Sequence, residues 1–278
     1  MTATPSVPTP AAGPVPVPTP AVPTPVPGHN LLAGKVVVVT AAAGTGIGAA
    51  VAGRALEEGA QVVLSDHHAR RLGETADRLR AEHGDRVHAL TCDVTVEEQV
   101  QELLAGAAAA FGRVDVMVNN AGLGGTRSVL EMPDEEWHRV LDVTLTGTFR
   151  CTRAALRRMV EQGGGGVIVN NASVIGWRAQ AGQAHYAAAK AGVMALTRCA
   201  ALDAAEHGIR VNAVAPSLAM HPFLSKVTST ELLDELTARE AFGRAAEPWE
   251  VANVMVFLAS DYSSYLTGEV VSVSSQHA

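Results

Sequence analysis

The sequence is poor in cysteine. Cys92, Cys151 and Cys199 are scattered and form no Cys-X-X-Cys pair. An odd, dispersed set excludes a disulfide framework and fits a reducing cytoplasm. Each thiol is expected to behave as a small buried or half-buried apolar residue. No uninterrupted apolar run approaches the roughly 20 residues that cross a bilayer, so no membrane association is expected. The N-terminus has no basic region or twin arginine, and prolines break its apolar stretches, so no secretion signal is expected. No lysine/arginine block occurs and the net charge is −7, which argues against nucleic acid or an anionic membrane as partner. Aromatics are only 4% of the residues, against 47% hydrophobic residues and 26 glycines. That balance suits an α/β protein with tight turns and close helix–sheet packing. A chain of 278 residues fits one large core plus a tail.

Residues 1–29 are a separate material, with proline recurring between Val, Thr and Ala. Such a segment cannot build a helix or a ladder, and is expected to be an extended, mobile polyproline II tail. It reads as a solubilising tail, with a docking arm as the alternative. From residue 30 onward apolar β-branched runs alternate with helical patterns. Strands are expected at 35–40, 61–65, 86–91, 114–118, 167–171, 209–215 and 269–273. Helices are expected at 46–58, 70–82, 96–111, 133–161, 183–207 and 248–260, with a mixed stretch at 217–246. Strands this apolar, separated by helices, imply one doubly wound α/β domain over 30–278, with a parallel seven-stranded Rossmann sheet covered on both faces.

Two stretches carry chemistry. Thr40-Ala-Ala-Ala-Gly44-Thr45-Gly46-Ile47-Gly48 joins the first strand to the first helix. Glycines there let backbone amides approach a pyrophosphate at a helix N-terminus. Asp66 follows the second strand, where a carboxylate accepts from the adenosine ribose hydroxyls and repels a 2′-phosphate. That favours NAD, although Arg70 and Arg71 lie nearby and Asp66 is also a candidate helix N-cap. Asp93 ends the third strand and is a candidate adenine contact. Asn119-Asn120-Ala121-Gly122 ends the fourth and lines the same crevice.

The second stretch runs from Ser173 to Lys190. The serine stands thirteen positions before Tyr186, and Lys190, one of only three lysines, follows the tyrosine by four. On a helix Tyr186 and Lys190 share one face. An ammonium there favours the phenolate and lowers the tyrosine pKa from about 10, which makes a general base. Ser173 is placed to hydrogen-bond a substrate oxygen. The adjacent His67 and His68 read as surface residues and not as a metal site. His185 is expected to point elsewhere on the helix.

The glycine loop, Asp93-Val94, Asn119-Asn-Ala-Gly122 and the Ser/Tyr/Lys spacing together resemble the short-chain dehydrogenase/reductase family, over nearly all of residues 31–274. The resemblance implies that Tyr186 moves the substrate hydroxyl proton, that Lys190 also holds the nicotinamide ribose, and that hydride passes between substrate carbon and nicotinamide. Motifs and resemblance together place Thr40, Ala42, Gly44, Thr45, Gly46, Ile47, Asp66, Asp93, Val94, Asn120, Ala121 and Gly122 on the cofactor. Tyr186, Lys190, Pro216, Ser217 and Leu218 complete that set. The family usually forms tetramers, with helices 134–161 and 183–207 in one interface.

Three departures stand out. Ala41 replaces a glycine directly after the threonine, and the loop is one residue longer. Thr144 stands where the family has an asparagine as fourth catalytic member. Pro216-Ser217 with His221 replaces Pro-Gly and a following threonine, so that His221 either takes over a nicotinamide contact, meets substrate or faces solvent. Within the family the chain resembles a bacterial subgroup of late steroid breakdown, whose substrate is the secondary alcohol or ketone of a hydroindene-carboxyl-CoA thioester. An apolar lining from Leu123, Val174, Ile175, Trp177, Met220, Phe223 and Leu224 is expected. Arg127, Arg178, Lys226, Arg239 and Arg244 are candidate contacts for an anionic CoA. Competing readings are a 3-oxoacyl-thioester reductase using NADPH, and a catalytically silent nucleotide-binding regulator.

Overall fold

The computed structural model describes residues 25–220 and 230–275. Most of the proline-rich tail, and His221, Phe223, Leu224 and Lys226, lie outside the described residues. The strands are β1 (Val36–Val39), β2 (Gln61–Asp66), β3 (Val87–Thr91), β4 (Val116–Asn119), β5 (Gly166–Asn171), β6 (Ile209–Pro216) and β7 (Val270–Val273). The helices between them are α1 (Ile47–Glu57), α2 (Ala69–His83), α3 (Glu97–Phe111), α4 (Asp134–Leu141), α5 (Gly147–Gln162), α6 (Ala184–Ala204), α7 (Thr230–Arg239) and α8 (Pro248–Ala259).

All seven strands pair in parallel, in the order β3-β2-β1-β4-β5-β6-β7. This is the doubly wound sheet expected from the apolar runs. The unbroken valines of β1 follow from burial on both faces. Val37 and Val39 face one core with Val51 and Leu56 of α1 and Met255 of α8. Val38 faces the other, with Leu103 of α3 and Cys151 and Met159 of α5. Cys92 and Cys151 are buried in that second core, and burial pushes the Cys92 thiol up to about 11. Cys199 departs from expectation: it lies exposed on α6.

The connection order reverses between β1 and β4, and a crevice opens there beyond the carboxyl ends of the strands. Two asparagines, at neighbouring positions of β4 and β5, brace the sheet just below it. Asn119 Nδ2 donates to Asn170 Oδ1 at 2.8 Å and Thr152 Oγ1 at 3.0 Å, and Asn170 Nδ2 donates to Thr197 Oγ1 at 2.9 Å. These bonds tie both central strands to α5 and α6.

The helix expected over 133–161 is broken. A π-helical turn, Asp142–Thr146, separates α4 from α5. Within it the Thr144 carbonyl accepts from the Thr148 hydroxyl at 2.8 Å. Gly147 then passes so close to Val94 that an added Cβ would lie 2.7 Å from its Cγ2. The mixed stretch 217–246 carries α7. At the other end, residues 25–29 are exposed and irregular, yet pinned rather than free. His29 and Leu31 donate backbone N–H groups to the buried Glu58 carboxylate at 2.7 and 3.0 Å, and Arg54 binds the Val26 and Pro27 carbonyls.

Replacing Asn170 by alanine strips buried partners from Asn119 and Thr197. Urea unfolding is expected to show a loss of about 1–3 kcal/mol with an unchanged m-value.

Candidate active site

The loop from Thr40 to Gly48 is held by its own side-chain chemistry. Thr40 Oγ1 accepts from the backbone N–H groups of Asn120 and Ala121, both at 3.0 Å, which joins the ends of β1 and β4. Ala41 then adopts a φ of +48°, in the left-handed region. Family members with glycine at this position meet no such cost; a Cβ here carries roughly 1–2 kcal/mol of strain. Ala42 is fully buried and its N–H donates to Ser65 O at 2.9 Å. The Gly44 N–H donates to Thr75 Oγ1 on α2 at 2.9 Å. Gly48 admits no side chain: a Cβ would lie 2.3 Å from Ala41 O and 2.5 Å from Asn120 Nδ2. Helix α1 begins on Gly46, with no side-chain cap and no acidic residue in its first turn. Its leading amides therefore suit a phosphate, flanked by the exposed Thr45 and half-buried Ile47.

Asp66 is buried at the end of β2. Its Oδ1 accepts from His68 N–H at 2.9 Å and its Oδ2 from Ala43 N–H at 3.3 Å, so it serves both the start of α2 and the loop. The formal N-cap of α2 is His68. Arg70 turns to Glu74 at 2.8 Å. Strand β3 ends at Thr91, before Asp93, which sits instead in a turn. There its Oδ1 accepts from the Thr95 backbone and hydroxyl at 2.9 and 2.7 Å. Partial burial pushes the Asp93 carboxyl up, but the Thr95 hydrogen bonds, helped by His67 and Arg150, hold it below the usual carboxylate range. Val94 is buried.

The three residues of the Ser/Tyr/Lys pattern meet at the crevice. Ser173 follows β5, is 8% exposed, and accepts from Ile175 N–H at 3.2 Å, which caps a short 3-10 turn. Tyr186 lies in the first turn of α6, half-buried, and Lys190 one turn later is 3% exposed. Lys190 Nζ donates to Asn171 O at 2.5 Å. Asn171 Nδ2 donates to Asn120 Oδ1 at 2.9 Å, and Asn120 Nδ2 reaches the Thr40 and Ala41 carbonyls, both at 3.2 Å. A continuous polar line thus joins the phosphate loop to the lysine. Gly122 is part of the same cradle, since a Cβ there would lie 3.4 Å from Lys190 Nζ. The cradle, the open helix end and Asp66 fit a nicotinamide dinucleotide.

The charge balance differs from expectation. Lys190 Nζ sits over the tyrosine ring, 5.5 Å from its centroid. Desolvation pushes Tyr186 up, partly offset by a hydrogen bond with the Ser173 side chain. Desolvation also pushes Lys190 down to about 8.

Thr144 is fully buried, and its hydroxyl is already engaged. It donates to Leu123 O and accepts from Leu123 N–H, each at 2.9 Å. It therefore holds the backbone of the loop after β4, and its hydroxyl proton is not free for transfer.

On the substrate side, Trp177 is 44% exposed and Arg178 half-buried. Arg178 Nε is buried without a hydrogen-bond partner among the described residues. The other described cations proposed for CoA are taken: Arg127 pairs with Glu136, Arg239 with Glu235, and Arg244 with Glu250 through two bonds of 2.7 and 2.8 Å. An open cavity of about 620 Å³ lies between Thr126, Ser128 and Val129 on one side and Gln180, Ala184 and Ala187 on the other. Pro216 ends β6, Ser217 N–H donates to Val273 O at 3.1 Å, and Leu218 O accepts from Ala246 N–H at 2.8 Å.

Sequence reasoning missed Thr75, Asn171 and His185. The repeated Asn-Asn ending two apolar strands was a usable signal for Asn171. His185 does not point away: it is fully buried, and its Nδ1 accepts the Tyr186 N–H at 2.9 Å.

A family model described as enoyl-(acyl carrier protein) reductase matches residues 41–275. The chain is 68% identical over 250 residues, 90% of this chain and 95% of the relative, to the (5R,7aS)-5-hydroxy-7a-methyl-1-oxo-2,3,5,6,7,7a-hexahydro-1H-indene-carboxyl-CoA reductase of Mycobacterium tuberculosis. It is 38% identical over 242 residues, 87% of this chain and 97% of the relative, to a 3-oxoacyl-(acyl-carrier-protein) reductase of Thermotoga maritima. A crystal structure of a short chain dehydrogenase from Mycobacterium smegmatis superimposes with a TM-score of 0.83 at 60% identity, over 93% of this chain and 99% of that one.

Removing the buried ammonium relieves a desolvation cost. Lys190→Met is expected to raise the thermal midpoint of the protein without added nucleotide, by the equivalent of about 1–3 kcal/mol. Calorimetry at neutral pH checks it; a lowered midpoint contradicts the reading. Gly48→Ala is expected to weaken nucleotide binding at least about tenfold, read by titration calorimetry.

Proposed function

The chain belongs to the short-chain dehydrogenase/reductase family, and from that premise we propose that it is an NAD-dependent oxidoreductase of a bicyclic, steroid-derived hydroindene-carboxyl-CoA thioester. The bound nicotinamide supplies the hydride acceptor for the secondary alcohol, or the donor for the ketone. The observation that carries the catalytic reading is the polar line from Thr40 through Asn120 and Asn171 to Lys190, one helical turn after Tyr186. The substrate class rests on the 68% identity to the mycobacterial reductase.

Ser173 holds the substrate oxygen by hydrogen bond and Tyr186 exchanges a proton with that oxygen. Lys190 keeps the developing phenolate next to a positive charge. Burial raises the tyrosine and lowers the lysine, so the lysine ammonium gives up its proton first and leaves one proton on the pair. A phenol beside a neutral amine and a phenolate beside an ammonium are the same macroscopic state, and alcohol oxidation draws on it. Thr144 contributes by fixing Leu123 and not by carrying a proton. Asp66, buried at the end of β2, favours the ribose diol of NAD over a 2′-phosphate, and Arg70 is paired elsewhere. Arg178 is the described cation left for an anionic substrate group. The remaining cofactor assignments stand as proposed from the sequence, with His221 held as a substrate or nicotinamide contact.

Residues 30–278 form the catalytic unit in this reading, and a cytoplasmic homotetramer is its working state. Phe149 and Val160 on α5 and Leu202 on α6 are 41%, 43% and 80% exposed, apolar surface of the kind that subunit contact would cover. A second reading, a 3-oxoacyl-thioester reductase using NADPH, draws on the 38% identity to the Thermotoga enzyme.

Initial rates with both cofactors on hydroindene-carboxyl-CoA and on linear 3-hydroxyacyl-CoA separate the two. NAD with the bicyclic thioester is expected to win by at least about tenfold, and Asp66→Ala to shrink the NAD preference. Alcohol oxidation is expected to rise with pH through about 8 as the Lys190 ammonium sheds its proton and leaves the one-proton pair, and ketone reduction to fall. Tyr186→Phe is expected to cost at least about a thousandfold in kcat. Full turnover in that variant would leave the nucleotide-binding regulator as the better reading.

A further inference from the structure

Helix α6 begins without a side-chain cap on Gln183, so the N–H groups of its first turn need other partners. Tyr186 occupies the third position of that turn, where a capping side chain normally bonds. The His185 ring supplies the acceptor: Nδ1 takes the Tyr186 N–H at 2.9 Å. An accepting Nδ1 assigns the remaining ring proton to Nε2. That nitrogen is fully buried and without a hydrogen-bond partner among the described residues, and it faces Glu136 Oε1 on α4 at 3.6 Å. Arg127, in the loop after β4, binds the other carboxylate oxygen of Glu136.

The same loop lies against both residues. A Cβ on Gly124 would lie 3.4 Å from the Tyr186 ring, and one on Gly125 3.3 Å from both His185 Nε2 and Glu136 Oε1. Two further bonds clamp the loop to the start of α6: Arg127 N–H to Gly182 O at 2.9 Å, and Gln183 Nε2 to Thr126 Oγ1 at 3.2 Å. We infer that Arg127, Glu136 and His185 form a positioning relay that fixes the backbone of Tyr186 and the loop across its ring, and so sets the phenol against the substrate oxygen.

The relay touches neither substrate oxygen nor nucleotide, so it acts through Tyr186. The 3.6 Å gap is long for a hydrogen bond. The contact is therefore an electrostatic one between the ring N–H and the carboxylate. This inference rests on Tyr186 being the proton-transfer group.

The test uses the full-length protein. Asparagine at position 185 reproduces the Nδ1 acceptor and lacks the arm to Glu136; glutamine reproduces the arm. His185→Asn and Glu136→Ala are each expected to lower kcat about tenfold, with substrate KM and nucleotide Kd within about twofold of the parent. His185→Gln, which keeps the arm to Glu136 but lacks the Nδ1 acceptor for the Tyr186 N–H, is expected to lower kcat to a similar degree. The double variant His185→Asn/Glu136→Ala is expected to be no worse than the poorer single variant, as two members of one unit behave. Should a core variant fail to fold, Arg127→Gln at the half-exposed end of the relay carries the test, with a kcat loss of about threefold at constant Kd. Unchanged kcat in these variants, additive losses, or a loss that tracks nucleotide affinity or thermal midpoint overturns the relay. If Tyr186→Phe is inactive while the relay variants match the parent, the inference falls and the proposed chemistry stands. If Tyr186→Phe is fully active, the chemistry falls first.

Discussion

Lys190 brings an ammonium to 3% exposure, and no carboxylate lies within ion-pair distance of it among the described residues. A buried cation without a counter-charge is costly unless dipoles replace water. The Asn171 carbonyl, 2.5 Å away, is the fixed dipole that does so. Everything around the crevice serves that one contact. Asn171 is held by Asn120, and Asn120 by the carbonyls that open the phosphate loop. One layer deeper, Asn119 and Asn170 lock the same two strands in register.

The phosphate loop shows the same trade in backbone form. Ala41 accepts a left-handed conformation, and the extra residue before Gly46 lengthens the path to α1. Three contacts hold this shape: Ala42 N–H on Ser65 O, Ala43 N–H on Asp66, and Gly44 N–H on Thr75. Each comes from β2 or α2, so the loop leans on the adenosine side of the crevice. Asp66 thereby has two structural tasks, holding the loop through Ala43 N–H and the start of α2 through His68 N–H.

Much of this was legible in the sequence because it rests on periodicity and on short local patterns. The unbroken valines of β1 could only be a strand buried on both faces. A tyrosine and lysine four apart in an alanine-rich segment could only share a helix face. The failures have different causes. Cys199 is exposed because the apolar composition of α6 does not say which of its faces meets solvent. The break at Asp142–Thr146 sits beside a close approach of Val94 to Gly147, residues 53 positions apart, which local periodicity does not report. The raised tyrosine depends on burial, which spacing alone does not report. His185 was read as a neighbour facing away, yet its ring curls back onto the backbone of the next residue.

Thr144 shows how the departures from the family pattern fit together. An asparagine is the family's usual residue there, and a threonine is shorter and has a single donor. The π turn offers a way to compensate, since one extra residue per turn shifts the helix face that meets the loop. In that position the Thr144 hydroxyl both donates to and accepts from Leu123, which holds the backbone beside Gly122 and hence beside Lys190. The Thr144 carbonyl is closed off by Thr148. The polar partner of the ammonium lies instead at the Asn171 carbonyl, and the Asn171 side chain is joined through Asn120 to the phosphate loop.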